Sequence, residues 1–513
     1  MDTQKIVLIR PLMGIMDLIH KTPPVSLLAL CRYLDVERYP VILVDQCMPG
    51  WQATLQEALS QDTLLVGISC LTGNQQEFGG AIASLVRRVL PSVPIVWGGT
   101  HPSALPLQTL KESNVDIVVV GEGDVTFPEL VEALSKGSDL ETVKGIAFKD
   151  KQGTPHQTAP REMLDMENLA PFPYHLIDLK PYANVNQNFG LIVEAGRGCM
   201  YSCSFCYNPS FNQKRWRPRP AREIYNEMCA LNHTEGTKVF HLCDDSFFTS
   251  PERVWEFVRL VEEGQTQFQW NAEGNLHHVQ KLGREGIIRL KNSGLHWLSV
   301  GIESGSEKVR RFFNRPVNIS NLLEFNALSA KIGLHVEYNF MTGAPIEEED
   351  DVRSTASLIL QLLDTNPYAL VQAAYITVPY PKTRYLEQCK EFGLKEPASF
   401  SEWAMFDPFF VADSMPWMTR KKKAMFESFM FDTLFVDEKG NFHKTSSLFS
   451  ATVSLLARNY HGFARWRIKK FIHQPTWPGS TIKLVSKIHR NVVASQLGLV
   501  ELAIRLGKKN LNH

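Results

Sequence analysis

The sequence lacks any long apolar run free of charges: no stretch reaches the roughly 20 residues that a membrane-spanning helix needs, so no transmembrane helix is expected. Its first residues, MDTQKIVLIRPLMG, have no basic segment followed by an apolar core, so no signal peptide is expected either. Cysteine is sparse and odd in number, with nine residues in 513, which is not the pattern of a disulfide framework. We therefore expect a cytoplasmic protein of about three domains, at roughly 150 residues per domain.

The chain also lacks a net charge, since 54 Lys and Arg balance 54 Asp and Glu. This balance hides an asymmetry, because twelve Lys and Arg follow Asn441 against a single acid, Glu501. The basic segment is interpreted either as a solvated helix face or as a site for an anion, carried by the substrate or by a membrane surface. Peripheral membrane contact is therefore an open expectation, and no nucleic-acid partner is expected.

Three of the nine cysteines are clustered. Cys199, Cys203 and Cys206 have the spacing Cys-x3-Cys-x2-Cys. Three thiolates on one short loop can hold three irons of a [4Fe–4S] cluster and leave the fourth iron open to a small molecule, whereas four cysteines would complete the cluster for electron transfer. The alternative is a zinc knuckle, but no fourth Cys or His lies between Tyr207 and Arg222. The spacing therefore favours an open [4Fe–4S] cluster.

The first third of the chain alternates short apolar runs with longer segments of helical periodicity. This alternation predicts an α/β domain with a doubly wound parallel sheet of the flavodoxin-like, Rossmann type. In such sheets the ligand lies beyond the carboxyl ends of the strands. Small and polar residues follow several of the runs, and glycine there permits a bulky ligand to approach the backbone closely. The predicted strands are 6–9, 41–45, 64–69, 95–99 and 117–121.

Three of these strand ends resemble the cobalamin-binding domain that many radical S-adenosylmethionine (SAM) enzymes carry. Ser69-Cys70-Leu71 is similar to the Ser-x-Leu element that lies beside the nucleotide tail of cobalamin, and Gly98-Gly99 is similar to the paired glycines on which that tail rests. The site that the resemblance implies consists of Ser69, Leu71, Thr72, Gly98, Gly99, Thr100, His101, Gly121, Glu122 and Gly123.

One departure concerns the ligand of the cobalt. The motif Asp-x-His-x-x-Gly of mutases and methionine synthase is absent from the first βα loop, where Asp17 and His20 have a different spacing. We therefore expect no histidine ligand from this loop. His101 is an alternative ligand, although a turn histidine of this kind more often bonds the backbone or the nucleotide. A domain that has lost its cobalamin also remains an alternative.

A proline-rich connection over 144–186 leads into a second series of predicted strands and helices. Six strand-like segments separated by helical stretches predict a partial (β/α)6 barrel of the TIM type, whose chemistry lies at the carboxyl ends of the strands. The cysteine loop directly follows the first of these strands, at the end of the barrel where catalytic groups are expected. The predicted strands are 191–195, 238–242, 268–271, 297–302, 335–340 and 370–378.

This part resembles the radical SAM superfamily over residues 190–390, with Cys199, Cys203 and Cys206 matching the cluster ligands. The resemblance implies that the open iron chelates the methionine part of SAM. It places Asp244 or Asp245 at the methionine amine and Glu303 at the ribose. The full set of SAM-binding residues that the resemblance implies is Phe205, Asp244, Asp245, Glu303, Ser304, Met341 and Gly343.

The remaining residues are expected to form a mostly helical C-terminal region. An aromatic stretch from Trp403 to Phe435 is interpreted mainly as core, with the lining of a substrate pocket as the alternative. Cys229 and Cys243 are interpreted as packing residues rather than as extra ligands. The expected domains are 1–143 for cobalamin, 144–186 as a linker, 187–390 for radical SAM chemistry and 391–513 as a C-terminal region that caps the substrate.

The combined resemblance implies an enzyme that uses a [4Fe–4S] cluster, SAM and cobalamin. A 5′-deoxyadenosyl radical would take hydrogen from an unactivated carbon of a small molecule, and methylcobalamin would then donate a methyl group. The alternative is an oxidative cyclase of the anaerobic magnesium-protoporphyrin monomethyl ester cyclase type, and a second alternative is a non-catalytic cobalamin sensor. An external flavodoxin or ferredoxin is the expected electron donor. The substrate is expected to be anionic or amphiphilic.

Overall fold

Five buried apolar runs form a parallel sheet in the first third of the chain. The computed structural model describes residues 4–14, 22–183, 190–437, 448–473 and 491–505. The strand order β2-β1-β3-β4-β5 is that of a flavodoxin-like sheet, as predicted. In β1, the side chains at 6–9 are completely buried, because helices cover both faces of the sheet. The strands are β1 (Lys5–Arg10), β2 (Val41–Asp45), β3 (Thr63–Ser69), β4 (Ile95–Gly98) and β5 (Ile117–Val119).

The helices of this domain pack in two layers. One core contains apolar residues of α1 and α6, and the other contains residues of α2 and α3. The sheet is therefore doubly wound, as predicted. The helices are α1 (Val25–Leu30), α2 (Trp51–Ala58), α3 (Asn74–Val89), α4 (Thr100–Ala104), α5 (Pro106–Thr109) and α6 (Gly123–Lys136).

Part of the segment expected to be a linker extends this sheet. Strand β6 (Ile146–Lys149) pairs antiparallel with β5, and β7 (Pro155–Gln157) pairs antiparallel with β6. The residues of β7 are exposed or half-exposed, as is typical of an edge strand. This exposure explains why its sequence resembles a loop. After β7 come a 3₁₀ turn at Tyr174–Leu176 and helix α7 (Lys180–Ala183).

The middle of the chain forms a partial barrel. Its sheet has the order β8-β11-β12-β13-β14, all parallel, and β14 then pairs with both β15 and β16. Strands β9 and β10 form a separate antiparallel pair beside the cysteine loop. The strands are β8 (Leu191–Glu194), β9 (Gly196–Arg197), β10 (Arg217–Pro218), β11 (Val239–Cys243), β12 (Gln269–Gly274), β13 (Leu295–Glu303), β14 (His335–Thr342), β15 (Ala369–Leu370) and β16 (Ala374–Ile376).

Helices cover the outside of this barrel, as the alternating pattern predicts. Helices α9 and α10 contribute buried apolar residues such as Ile224 and Phe257 to one core that continues through all the barrel strands. The helices are α8 (Asn208–Phe211), α9 (Ala221–Glu235), α10 (Pro251–Glu263), α11 (Leu276–Lys281), α12 (Gly283–Asn292), α13 (Glu307–Phe312), α14 (Ile319–Ile332), α15 (Glu349–Thr365) and α16 (Arg384–Glu391).

The C-terminal region is helical, as expected, and contacts both earlier parts. Helix α17 (Arg420–Leu434) packs on the barrel, where the Thr433 hydroxyl accepts a hydrogen bond from the amide of Ala374 at 2.9 Å. Helix α18 (Leu448–Lys470) packs on α17. A last helix over 491–505 places Val493 and Leu497 in the core of α2 and α3. None of the helices in these described ranges is long and apolar enough to cross a membrane.

Most of the aromatic stretch is core, as predicted. Trp403 and Phe426 are completely buried, and Phe429 is 2% exposed. Two short 3₁₀ turns at Glu402–Met405 and Val411–Ser414 connect α16 to α17. The segment around them passes over the first domain: the Phe400 carbonyl accepts a hydrogen bond from the Gln76 side chain at 2.7 Å.

Candidate cofactor and active site

The three clustered cysteines lie on the loop that follows the first barrel strand. Gly198 precedes Cys199 at φ +84°, and a Cβ atom at this position would lie 2.0 Å from the Arg215 carbonyl, so only glycine fits. Cys203 is buried, whereas Cys199 and Cys206 are half-buried. Burial raises the pKa of all three thiols, that of Cys206 to about 12. Metal binding would therefore have to displace their protons.

The surroundings of the loop are polar. The Arg315 guanidinium lies 3.9 Å from the Cys203 sulfur and 3.4 Å from a Glu303 oxygen. Within the described ranges, no three His, Cys, Asp or Glu side chains are placed to hold a single metal ion. The donor set, three thiols on one loop with no fourth, fits three irons of a cluster with one iron open.

Asp244 and Asp245 follow β11 but have opposite environments. The Asp244 carboxylate accepts hydrogen bonds from the Trp216 indole at 3.0 Å and the Ser246 amide at 2.8 Å, and its side chain has no exposed surface. It also pairs with Arg253 at 3.3 Å. Asp245 is exposed, and it accepts a hydrogen bond from the Gly198 amide at 2.9 Å. Of the two aspartates, only Asp245 thus presents an exposed carboxylate beside the cysteine loop.

Cys243, just before these aspartates, differs from its expected packing role. The structure places its side chain at the exposed carboxyl end of β11. The expectation that it packs in the core is therefore wrong. Cys229, on α9, is half-buried among apolar residues, as expected.

Glu303 ends β13 in an unusual conformation. It has φ +68°, a left-handed value that a residue with a side chain rarely adopts, and the pairing of β13 with β14 shifts register at this point. Its side chain is 7% exposed. Burial raises the pKa of Glu303 to about 7, although the Arg315 charge acts in the opposite direction. The carboxyl group is therefore held inside the barrel mouth at some conformational cost.

The neighbouring residues fix this strand end. The Ser304 hydroxyl lies 3.0 Å from the Thr355 hydroxyl of α15, and the Ser304 carbonyl accepts a hydrogen bond from Arg310 at 2.8 Å. Ser304 is completely buried. Its side chain therefore serves the packing of the strand end.

The turn after β14 is organised by a buried carboxyl group. Glu347 accepts hydrogen bonds from the amides of Gly343 and Ala344, at 2.7 and 3.2 Å, and from the Thr342 hydroxyl at 3.2 Å. The Gly343 carbonyl accepts a hydrogen bond from the Trp417 indole at 3.0 Å. Met341, at the end of β14, is half-buried. On the cysteine loop, Phe205 packs edge-on against Phe313 with ring centroids 5.5 Å apart.

A cavity of about 740 Å³ lies between the first domain and the barrel. Its first wall comes from the strand ends of the first sheet, its second from Tyr207 and α8 directly after Cys206, and its third from the segments 380–382 and 407–408. A cavity of this size accommodates a large cofactor, a substrate or both. The residues of the first wall include Leu71, Thr72, Asn74, Gln75, Thr100, Ser103 and Ala104.

A second, narrower pocket of about 150 Å³ enters the first domain between α1, α6 and the ends of β3, β4 and β5. Its walls are rich in glycine, so the backbone itself forms much of the surface. At Gly99, with φ +101°, an added Cβ atom would lie 2.6 Å from the Cys70 carbonyl. Only glycine therefore fits at this turn. Predicted residues that line the pocket are Ser69, Gly98, Gly99, Gly121 and Gly123.

Two predicted cobalamin residues are engaged elsewhere. His101 is completely buried, with one ring nitrogen 2.9 Å from the Thr72 hydroxyl and the other 3.0 Å from the Gln76 amide nitrogen. It therefore bonds side chains rather than the expected backbone or nucleotide, and it does not face either pocket. Glu122 pairs with Arg217 at 2.5 Å. Asp17 and His20 lie outside the described residues.

Sequence reasoning missed several wall residues. Tyr380, Lys382 and Asp407 reach the large cavity from segments more than 270 residues away from its first wall. Asp407 accepts a hydrogen bond from the Asn74 amide at 3.0 Å. No local pattern marks these residues, because their position depends on how the C-terminal region folds over the first domain.

Two family models match the chain: the radical SAM superfamily over residues 193–359 and the B12 binding domain over residues 17–131. The chain thus combines a radical SAM domain with a B12-binding domain. The matches confirm the predicted family and the predicted cofactors, a [4Fe–4S] cluster, SAM and cobalamin. The glycine-rich walls of the narrow pocket and the three thiols of the cysteine loop agree with these cofactors of a radical SAM enzyme. The roles of individual site residues stay predictions.

Proteins similar to this radical SAM enzyme are named as methyltransferases and as a cyclase. An uncharacterized methyltransferase, PH0819, of Pyrococcus horikoshii is 28% identical over 351 residues, which cover 68% of this chain and 74% of the relative. A cytidylyl-2-hydroxyethylphosphonate methyltransferase of Streptomyces wedmorensis is 25% identical over 395 residues, or 67% and 73% of the two chains. An anaerobic magnesium-protoporphyrin IX monomethyl ester cyclase of Synechocystis is 30% identical over 249 residues, or 47% and 49%.

Solved structures confirm the fold. The cobalamin-dependent SAM radical enzyme OxsB, with aqua-cobalamin and SAM bound, aligns with a TM-score of 0.68 at 15% identity, covering 100% of this chain and 81% of that one. The radical SAM methyltransferase TsrM of Kitasatospora setae, with tryptophan and a SAM analogue bound, aligns with a TM-score of 0.61 at 18% identity, covering 79% and 84%.

Proposed function

We propose that this enzyme is a cobalamin-dependent radical SAM methyltransferase that acts on an unactivated carbon of a small molecule. The observation that carries the proposal is the shared cavity of about 740 Å³, whose walls combine the strand ends of the B12-binding domain with Tyr207 and α8, directly after Cys206. One space thus borders both cofactor regions. The methyltransferase names of two relatives support the same chemistry.

When bound, the cluster and cobalamin supply, respectively, the electron that cleaves SAM to a deoxyadenosyl radical and the carrier for a methyl group. The protein's part is to hold these groups and to exclude water. Cys199, Cys203 and Cys206 would hold three irons of the cluster. The Arg315 guanidinium, 3.9 Å from the Cys203 sulfur, adds positive charge beside the thiolates.

For SAM, the proposal assigns the carboxylate of Asp245 to the methionine amine, because Asp244 has no exposed surface. Glu303 is assigned to the ribose hydroxyls, and its left-handed backbone aims it into the barrel mouth. The turn from Met341 to Gly343 and the ring of Phe205 border the adenine. Asp244 and Ser304 are assigned no contact with SAM; they support the neighbouring Asp245 and Glu303.

For cobalamin, the proposal assigns the nucleotide tail to the narrow pocket with Ser69, Gly98 and Gly99 in its wall. The corrin ring is assigned to the large cavity beside Leu71 and Thr100. His101 contributes by fixing the position of Thr72 rather than by touching the cofactor, because both of its ring nitrogens already have partners.

The second candidate function is an oxidative cyclisation without methyl transfer. It is favoured by the similarity to the magnesium-protoporphyrin cyclase of Synechocystis, which at 30% identity over 249 residues covers only about half of each chain. The non-catalytic sensor is disfavoured, because the radical SAM match includes all three cluster cysteines.

The deciding experiment is anaerobic reconstitution with iron, sulfide and cobalamin, followed by reaction with SAM and a chemical reductant. Methyl transfer predicts that S-adenosylhomocysteine and 5′-deoxyadenosine both form. Deoxyadenosine without S-adenosylhomocysteine would contradict the methyltransferase and favour the cyclase. Absence of both products from protein with a full cluster would contradict both functions.

The proposal also includes an external electron donor and an anionic or amphiphilic substrate. Part of the C-terminal charge is internally neutralised: Arg467 pairs with Asp432 at 2.9 Å, and Arg505 pairs with Glu501 at 2.7 Å. Lys469 and Lys470 remain exposed beside Trp466, which is 47% exposed. Trp477 and the cations Lys444, Lys483, Lys487, Arg490, Lys508 and Lys509 lie outside the described residues. Peripheral contact with an anionic membrane is proposed for this surface.

A further inference from the structure

Six charged side chains connect the B12-binding domain to the barrel beside the cysteine loop. They form one continuous set of ion pairs, which we call the interdomain network. Each pair joins an arginine to a carboxylate, so opposite charges meet at the boundary between the B12-binding domain and the barrel. Its members are Arg32, Glu122 and Asp124 in the B12-binding domain and Glu194, Arg197 and Arg217 in the barrel.

Arg197 is the centre of the interdomain network. Its guanidinium donates two hydrogen bonds to Asp124, both at 2.9 Å, and two to Glu194, at 2.6 and 3.1 Å. It also lies 3.2 Å from a Glu122 oxygen. Two parallel bonds between a guanidinium and a carboxylate fix both distance and orientation. Arg197 therefore sets the angle of α6 relative to the first barrel strands.

Two further arginines close the interdomain network. Arg32 lies 3.0 Å from Asp124 and 2.6 Å from Glu194, and its side chain is 1% exposed. Arg217 donates to Glu122 at 2.5 and 3.0 Å. Each carboxylate is thus shared by two arginines, and each of the six side chains is at most 15% exposed. A buried network of this kind adds little net stability compared with apolar packing, but it specifies one arrangement of its elements.

Both ends of the interdomain network reach a proposed cofactor site. Asp124 lies in the wall of the narrow pocket together with Gly121 and Gly123. Arg197 is followed by Gly198, whose amide donates to Asp245 at 2.9 Å, and then by Cys199. The path from the pocket wall to the cysteine loop therefore consists of one ion pair and two peptide bonds.

We infer that Arg197 and Asp124 are positioning residues that hold the B12-binding domain in register with the cysteine loop, so that cobalamin and SAM meet at a fixed distance. This inference rests on the proposed function. Cleavage of SAM to deoxyadenosine would need only the groups that the barrel holds. Transfer of the methyl group of SAM to cobalamin kept reduced by the chemical reductant, with release of S-adenosylhomocysteine, would need both domains. Loss of register should therefore affect the second reaction far more than the first.

The test uses the reconstituted holoenzyme with two variants, Arg197→Lys and Asp124→Asn. The matched control is Asp432→Asn, because Asp432 forms a buried pair with Arg467 between α17 and α18, which contribute no member of the interdomain network. We expect S-adenosylhomocysteine formation to fall about 10- to 100-fold in both variants, the effect of a displacement near 1 Å. Deoxyadenosine formation should stay within about threefold of the wild type, and the control should keep the wild-type ratio of the two products.

A second measurement does not depend on turnover. In the wild type, the magnetic coupling between the reduced cluster and cob(II)alamin should give one well-defined electron paramagnetic resonance line shape. The variants should show a weaker and more heterogeneous coupling, while the control matches the wild type. An unchanged product ratio together with unchanged coupling would overturn the inference. So would a parallel fall of both products that Asp432→Asn reproduces, since that is the result of a merely structural role.

The two hypotheses can fail separately. A wild-type enzyme that forms deoxyadenosine but no S-adenosylhomocysteine would contradict methyl transfer, and the magnetic coupling alone would then decide the role of the interdomain network. A wild-type enzyme that forms both products, with variants that match it in both measurements, would contradict the network and leave the proposed function standing.

Discussion

Asp244 and Asp245 show how two identical neighbours can have different tasks. Asp244 is enclosed by Trp216, Ser246 and Arg253, whereas Asp245 is exposed beside the cysteine loop. The sequence could not distinguish them, because adjacent residues of the same type share every local pattern. The difference arises from which side of the chain faces α10 and which faces the barrel mouth.

Substitution of the two aspartates should therefore have different effects. Asp245→Asn should weaken SAM binding about tenfold, because one charged partner of an amine is lost, with little change in thermal stability. Asp244→Asn removes the charge from a buried pair with Arg253 and should cost about 3–5 kcal/mol of stability. Equilibrium binding of SAM and thermal denaturation measure the two effects. Equal loss of SAM affinity in two well-folded variants would contradict the assignment.

The prediction of an iron–sulfur cluster can also be tested at a single residue. Cys203→Ala removes one of three thiolate donors and should abolish both the broad iron–sulfur absorbance and the formation of deoxyadenosine. Cys229→Ala is the matched control, since Cys229 is a free, half-buried thiol on α9, outside the loop. Its absorbance and SAM cleavage should equal those of the wild type. SAM cleavage retained in Cys203→Ala would refute the cluster assignment.

At the scale of elements, the turn between β14 and α15 depends on one carboxyl group. Glu347 is completely buried, and burial raises its pKa from 4.5 to about 8, although three hydrogen-bond donors act in the opposite direction. A carboxyl group with a raised pKa in the folded state contributes stability below its unfolded pKa. That contribution is lost as the pH rises from 4.5 to about 8.

Glu347→Gln should remove this pH dependence, because glutamine reproduces the shape of the protonated group. Between pH 5 and 8 the wild type should lose stability relative to the variant, by at most about 1.4 kcal/mol per pH unit. Urea denaturation at several pH values measures the difference. Glu348→Gln, at a side chain that is 62% exposed, is the control and should leave the pH dependence unchanged. A wild type and Glu347→Gln variant with parallel pH profiles would exclude a raised pKa.

The glycine at the end of β4 is a second test at this scale. A Cβ atom at Gly98 would meet only Val119, at 3.8 Å, so the fold should tolerate a side chain there. The same side chain would occupy the narrow pocket. Gly98→Val should thus lower the cobalamin content per chain severalfold and leave the iron content intact. Gly80→Ala, on the open surface of α3, is the control; full cobalamin occupancy of Gly98→Val would contradict the pocket assignment.

At the scale of the whole molecule, local features could be predicted from the sequence, whereas contacts between segments far apart in the chain could not. The parallel strands of both sheets could be predicted from apolar runs, although the predicted strand 370–378 is divided into β15 and β16. The cluster loop could be predicted from cysteine spacing. The burial of His101 could not be predicted, because it depends on Phe400 and Trp403, whose rings lie 5.3 and 5.9 Å from the imidazole. The pairing of β6 with β7 was missed for a different reason, since a polar edge strand has no apolar pattern.

The membrane proposal also belongs to the whole molecule. The enzyme should bind anionic vesicles at low salt and lose that binding at high salt, since each Lys near an anionic bilayer contributes about 1 kcal/mol. Joint substitution of Lys469 and Lys470 by Gln should weaken the binding, whereas Lys151→Gln, in an exposed turn of the first domain, should not. Co-sedimentation measures both. Equal and negligible binding to neutral and anionic vesicles at low salt would remove the proposal.

The helix over 491–505 has a consequence for synthesis on the ribosome. Its residues Val493, Leu497, Val500 and Ile504 complete the core of α2 and α3, which belongs to the first part of the chain to emerge. At 5–20 residues per second, roughly 20 to 70 s separate the translation of the first domain from that of this helix. During that interval the nascent domain presents an uncovered apolar surface, which makes it a client for chaperones until the end of the chain arrives.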